Sequence, residues 1–379
     1  MKKVTLLSPG PTPVPHRTLL AMAQPLIHHR SPQFAGIFQK VRAGLKMVFE
    51  TRNEVLVLNS SGTGAMESAV VNLLCSGDKA IVINGGKFGE RWNGLLRAYG
   101  CQALEMEVPW GYVVKPADVE KMLHGDSSIK AVFVQSLETS TGVEHPIEEL
   151  AGVVQKTNAL LVVDAISSLG ACPVPMDKWG IDVMLAGSQK ALMMPPGLAF
   201  VGIGPKALEM MKTSTLPKYY FSWARELKNQ TENKGAFTSP ISLFYGLVDV
   251  LDIIQEQGLG KIYRNTKLRA KAFRAAVAAW GLQVYARENP SPALTAVECP
   301  PDLDSEKVVK WLREKYGIFI AGGQDQAQGR VFRVAHMGYI NEFDTLQAVC
   351  AIEMALQGLG YKFNMGGGVA AAEKVFGEA

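Results

Sequence analysis

Between Leu160 and Gly197 the chain reads LLVVDAISSLGACPVPMDKWGIDVMLAGSQKALMMPPG, and no other stretch restricts the fold as tightly. Leu160, Leu161, Val162 and Val163 form an apolar run too short for a helix, the pattern of a strand buried on both faces of a parallel sheet. Asp164 stands at its carboxyl end. Val183, Met184, Leu185 and Ala186 repeat the pattern, and the turn Gly187-Ser188-Gln189 then delivers Lys190. Open α/β sheets bind ligands outside the carboxyl ends of their strands, so an acid and a lysine are expected at one edge. Taken singly, Lys190 also reads as a solvated charge and Asp164 as a helix cap or ion pair.

The same strand, turn and helix sequence recurs upstream. Val55 to Leu58 leads through Asn59-Ser60-Ser61-Gly62-Thr63-Gly64 into the helical run AMESAVVNLL. Such a turn aims backbone N–H groups and a positive helix end at an anion. It ends in neither the GK[ST] of a Walker loop nor the spacing of a dinucleotide site, and on these residues alone an ordinary capped turn fits as well. Ala80 to Ile83 is followed by Asn84-Gly85-Gly86-Lys87-Phe88-Gly89, where Phe88 by itself reads as a core anchor. Ala131 to Val134 ends in Gln135-Ser136-Leu137-Glu138-Thr139-Ser140-Thr141-Gly142. Helical patterns such as Ile147 to Lys156 lie between these strands, which predicts a mostly parallel sheet closed by Leu198 to Gly202.

The two ends of the chain differ from this middle. Ser8 to Pro15 carries four prolines and must be an extended arm. A largely helical run from Ser242 to about Trp280 leads to Gln283–Tyr285 and Leu294–Glu298 as strands, Ser305–Tyr316 as a helix, Val331–Ala335 as a strand around Arg333, and a final helix Glu342–Leu356. The organisation expected is an arm over residues 1–20, a large domain over 21–260, a smaller α+β domain over 261–363 and a flexible glycine-rich tail over 364–379. A chain of 379 residues with 47% hydrophobic content can bury two such cores.

Several classes are disfavoured by composition. A net charge of +4 without a basic run argues against nucleic acid. The apolar start is broken at Pro9 and Gly10, so neither a signal peptide nor a membrane span is expected. Five cysteines without a CxxC pair suit a reducing, cytoplasmic setting and offer no metal site.

A lysine and an aspartate at neighbouring strand ends, an anion-shaped turn, an aromatic in a glycine loop and an arginine on the second domain together meet the needs of pyridoxal phosphate. That cofactor requires a lysine for a Schiff base, a carboxylate for its pyridine nitrogen, an anion site and a flat group over its ring. SGTGAME at 61–67, ETSTGV at 138–143, DAISSLG at 164–170 and GSQKALMMPPG at 187–197 resemble the class V aminotransferases, with the alanine-glyoxylate and serine-glyoxylate (serine-pyruvate) group most similar. LLSPGPTPVP and FRVAHMGY at 332–339 are similar to that group too, so the resemblance spans nearly the whole chain.

The resemblance implies an α/β, fold-type I homodimer that uses pyridoxal 5'-phosphate at shared active sites and acts on small amino acids and keto acids. Lys190 is implied as the Schiff-base residue, Asp164 as the partner of the pyridine nitrogen, and Ser61, Gly62, Thr63 and Gln189 as phosphate ligands. Thr139 is implied near the phenolic oxygen, Phe88 and Ile166 on the two ring faces, Thr238 as a phosphate ligand sent from the partner subunit, and Arg333 as the grip on the substrate α-carboxylate. Gly235 stands where some relatives carry a tyrosine beside that threonine. The reaction implied moves an amino group from serine or alanine to glyoxylate or pyruvate by a ping-pong Schiff-base mechanism. An aspartate or aminophosphonate aminotransferase, or a catalytically idle subunit of a metabolic or redox complex, are the alternatives. A cysteine desulfurase is disfavoured, because no cysteine lies between Cys299 and Cys350 and Gln189, not histidine, precedes Lys190.

Overall fold

The computed structural model describes residues 3–378, so Met1, Lys2 and Ala379 at the ends of the expected arm and tail lie outside the described residues. Seven strands form the main sheet in the spatial order Glu54–Leu58, Ala199–Ile203, Val183–Gly187, Leu160–Asp164, Ile129–Gln135, Lys79–Asn84 and Gln102–Glu107. All run parallel except Ala199–Ile203, which is antiparallel to both neighbours.

Alternation along each strand explains why a sheet forms here and why it is covered on both sides. Val55, Val57, Ile81, Ile83, Val132, Val134, Leu161 and Val163 enter one core with the helices Pro32–Phe49 and Ile241–Gln257. The residues between them, Leu56, Leu58, Ala80, Val82, Ala131, Phe133, Leu160 and Val162, enter a second core with the helices Gly62–Leu73 and Lys87–Ala98. Every strand but the edge strand Gln102–Glu107 is thus apolar on both faces, and the unit is a three-layer α/β/α stack. Each fully buried Leu, Ile, Val or Phe contributes roughly 1.5–3 kcal/mol relative to an exposed one.

The helical run expected from Ser242 to Trp280 is two helices, Ile241–Gln257 and Leu259–Ala279. They break at Gly258, whose φ of 75° lies in the left-handed region open to glycine. A four-stranded antiparallel sheet follows, ordered Gln283–Val284, Leu294–Glu298, Val331–Ala335, Ala321–Gly322, and it places Arg333 on an interior strand.

The arm is extended and docked at both of its ends. Thr5–Leu6 pairs in parallel with Ile318–Phe319, and the Leu7 carbonyl accepts from Ala335 N at 2.8 Å. Farther along, Thr12 N donates to Gln189 O at 3.2 Å and Thr12 Oγ1 donates to Lys190 O at 2.6 Å. Among the described residues no helix is long and apolar enough to cross a membrane.

The tail departs from expectation. Instead of a flexible segment, Gly367–Gly377 forms a helix that packs through Ala372 and Val375 into a third core, with Phe273 and Ala276 of Leu259–Ala279 and Ile352 and Leu356 of Glu342–Gly358. Its start is fixed by the buried Glu353 carboxylate, which accepts from Gly366 N at 3.0 Å, Gly368 N at 2.7 Å and Trp280 Nε1 at 3.0 Å. Three glycines suggest fraying, but here they let the backbone close on that carboxylate. Glu353→Ala leaves three donors unpaired in a dry site and should destabilise the protein by about 2–4 kcal/mol in denaturant titrations; unchanged stability would show that the helix is held in another way.

Candidate active site

Because six strands run the same way, their carboxyl ends share an edge, and the segments after Leu58, Asn84, Gln135, Asp164 and Gly187 meet there. All the residues singled out from the sequence except Thr238 and Arg333 line one cavity of about 110 Å³ at that edge. Arg91, Leu137 and Ser167 complete its wall.

Asp164 ends its strand buried, with Oδ1 accepting from Ile166 N at 2.9 Å. Among the described residues it has no ion-pair partner. Burial pushes its carboxyl up to about 6, opposed by the Ile166 hydrogen bond. Lys190 does not touch it. The lysine amine donates instead to the carbonyl of Pro9 in the arm. Loss of water, followed by the Arg333 charge, lowers the Lys190 amine to about 8 against the opposing pull of Asp164. Gly10 has a φ of 133°, and a Cβ there would stand 2.6 Å from Lys190 Nζ, so only glycine lets the arm lie on the amine.

The turn at Ser61 opens the twelve-residue helix Gly62–Leu73, and no side chain caps it. Its first N–H groups therefore face the cavity mouth without side-chain partners. A Cβ at Gly62 would run into Ile166 Cδ1, which fixes glycine between the turn and the Asp164 loop. Gln189 Oε1 is buried with no partner. Thr139 Oγ1 donates to Ser167 Oγ at 2.8 Å. Arg333, 7% exposed, donates from Nη1 to Thr139 O and from Nε to Gly322 O, both at 3.0 Å, and burial lowers it to about 10. It thus joins the cavity through Thr139. Thr238 does not. It is exposed, accepts from Asn59 Nδ2 at 3.0 Å through its carbonyl, and lines a neighbouring surface hollow with Ser60 and Ser61.

Two contributors were not singled out from the sequence. Arg91 donates from Nη1 to Thr63 Oγ1 at 3.0 Å and holds its guanidinium 4.8 Å from the Phe88 ring centre. Its position three residues after Phe88 on a helix is a signal that could have found it. Pro9 has no such signal, because it meets Lys190 only in the folded chain.

The donor set fits pyridoxal phosphate on the structure's own terms. A buried carboxylate without a cation suits a protonated ring nitrogen, and an uncapped helix start with a glycine suits a phosphate.

A family model described as aminotransferase class-V matches residues 4–346. The soluble hydrogenase small subunit of Synechococcus sp. (strain PCC 6716) is 43% identical over 382 residues, covering 100% of this chain and 99% of that protein. The serine–glyoxylate aminotransferase of Methylorubrum extorquens is 35% identical over 385 residues, covering 98% of this chain and 96% of that protein. The crystal structure of ureidoglycine-glyoxylate aminotransferase from Bacillus subtilis superposes with a TM-score of 0.94 at 26% identity, covering 100% of this chain and 99% of that one.

In the cofactor-free protein, acylation of Lys190 by an amine-selective reagent should rise through a single midpoint near pH 8, as followed by peptide mapping. A midpoint near the ordinary 10.5 would mean that the arm does not screen the amine.

Proposed function

The chain belongs to the class-V aminotransferase family and is a pyridoxal-phosphate-dependent transaminase, and from that premise we propose that it moves the amino group of a small L-amino acid, serine or alanine, to glyoxylate or pyruvate in a ping-pong cycle. The observation that carries this reading is the meeting of Asp164, Lys190 and the Ser61–Thr63 turn in one small cavity, with Arg333 pinned beside it. The names of similar proteins that act on glyoxylate support the acceptor.

Pyridoxal phosphate supplies an aldehyde that condenses with amines and a ring that takes up the electron pair left when an α-proton departs. Lys190 holds that group between turnovers and, once freed, takes the substrate's α-proton on Nζ. An amine lowered to about 8 is partly neutral near physiological pH and so is poised to act as a base. Asp164 holds the proton on the ring nitrogen, a role in which its unpaired buried charge finds a partner. Ser61, Gly62, Thr63 and Gln189 would hold the phosphate, Thr139 would serve the phenolic oxygen, and Phe88 and Ile166 would bound the ring. Arg333 binds the α-carboxylate in its plane with the N–H groups left free by Gly322 and Thr139. Thr238 serves the phosphate of the partner subunit in a homodimer with shared sites, working in the cytoplasm.

A second reading has its own support, since a similar protein bears the name of a hydrogenase subunit. As an idle subunit of a redox complex, the chain would keep the fold without turnover. A panel of amino donors, including aspartate and an aminophosphonate, against keto acids separates the readings. We expect serine or alanine with glyoxylate or pyruvate to lead. Turnover with none of the pairs would favour the idle subunit. Lys190→Ala should abolish both the visible absorbance and turnover, Arg333→Ala should raise KM for amino acids roughly 10–100-fold, and Asp164→Ala should lower kcat by on the order of 100-fold or more. Wild-type kinetics in these variants would undo the assignments.

A further inference from the structure

We propose that Glu138 is a positioning residue whose carboxylate ties the helix start bearing Phe88 to the loop bearing Thr139, and through Thr139 sets Arg333. The inference rests on the site reading above. Glu138 is fully buried and does not line the cavity, so it touches neither cofactor nor substrate.

Its two oxygens face different elements. Oε2 accepts from Phe88 N and Gly89 N, both at 3.1 Å, at the start of the twelve-residue helix Lys87–Ala98. Oε1 accepts from Ser140 N at 3.1 Å and Ser140 Oγ at 2.5 Å, in the loop that carries Thr139. Ser140 Oγ in turn accepts from Lys87 N at 3.1 Å, which closes the bridge. The backbone of the Phe88 loop lies directly on the carboxylate stem, since a Cβ at Gly86 would stand 2.5 Å from Glu138 Cγ and Cδ. On the far side, the carbonyl of Thr139 accepts from Arg333 Nη1 at 3.0 Å. One buried carboxylate therefore links three contacts of the site.

Only a carboxylate suits this position. All four of its partners donate, and a carboxylate accepts at both oxygens. An amide of the same shape turns an NH2 group towards donors on one side, so either the helix start or the Thr139 loop loses its anchor. Burial pushes the Glu138 carboxyl up, and the four donors and the helix start oppose that shift. Among the described residues no cation forms an ion pair with it; oriented N–H and O–H groups hold the charge, and the Arg333 guanidinium attracts it from beyond contact.

The test compares wild type, Glu138→Gln and Ser140→Ala. Three quantities are read: the Kd of the apoprotein for pyridoxal phosphate, the circular dichroism induced in the bound cofactor, and KM for the amino donor. Glu138→Gln should weaken cofactor binding about tenfold, alter the induced band as the Phe88 ring shifts, and raise KM several-fold. Ser140→Ala, which removes one donor and the link to Lys87, should move all three in the same direction by less. A merely structural role lowers Tm and leaves these three readouts at wild-type values, and that result would overturn the proposal. If Glu138→Gln does not fold, Ser140→Ala decides by the same criterion. Failure of the transaminase reading is distinct, because it would appear in the wild-type protein itself.

Discussion

Parallel hydrogen bonding among the strands from Lys79 to Gly187 forces their carboxyl ends to a common edge, because each crossover returns the chain to the opposite edge before the next strand begins. Residues far apart in sequence, Phe88, Thr139, Asp164 and Lys190, become neighbours for this reason alone. The interior strands are apolar on both faces and offer no chemistry. Polar groups collect in the turns, where the backbone leaves the sheet and side chains are free of packing. The site is in this sense a consequence of how the core is covered.

Removing these groups from water then determines their behaviour. Asp164, Lys190 and Arg333 are each displaced towards the neutral form, with burial as the largest cause. For Lys190 the sign is clear. Between pH 8 and 10.5 the unfolded chain binds a proton that the folded chain releases, so this residue's contribution to stability improves as pH rises through that window. For Asp164 the folded chain binds the extra proton between 3.8 and about 6, and its contribution falls as pH rises there. In both cases the fold disfavours the charged form. Among the described residues no ion pair joins Asp164, Lys190 or Arg333, so the fold leaves all three without a counter-charge in contact.

Much of this was legible in the sequence, and the omissions have physical causes. Apolar runs of strand length followed by small polar turns place Asp164 and Lys190 without further information, because strand and turn chemistry are local. Glu138 sits in a motif quoted for its threonine, yet an acid in a loop ordinarily faces water, and only packing of the Phe88 helix buries it. The docked tail was missed because three glycines outweighed the spacing of Val369, Ala372 and Val375 that follows them. Thr238 marks a different limit. Its expected ligand belongs to a second subunit, and a single chain places it only on a surface beside Ser60 and Ser61.

The arm connects these points mechanically. It pairs with Ile318–Phe319, and its Leu7 carbonyl accepts from Ala335, two residues beyond Arg333 on the same strand. Within five residues it reaches Thr12, hydrogen-bonded to the Lys190 carbonyl. Pro9 and Pro11 lie in that span, and each fixes its own φ and restricts the residue before it. The strand that carries the guanidinium and the turn that carries the amine are therefore joined by a short, stiff segment as well as by the two sheets. An α-amino acid carries its carboxylate and its amine on one carbon, so a site that recognises both needs its cation and its lysine at a fixed separation. The arm braces that spacing from outside either sheet, which gives Pro9 and Pro11 a part in the geometry of the site.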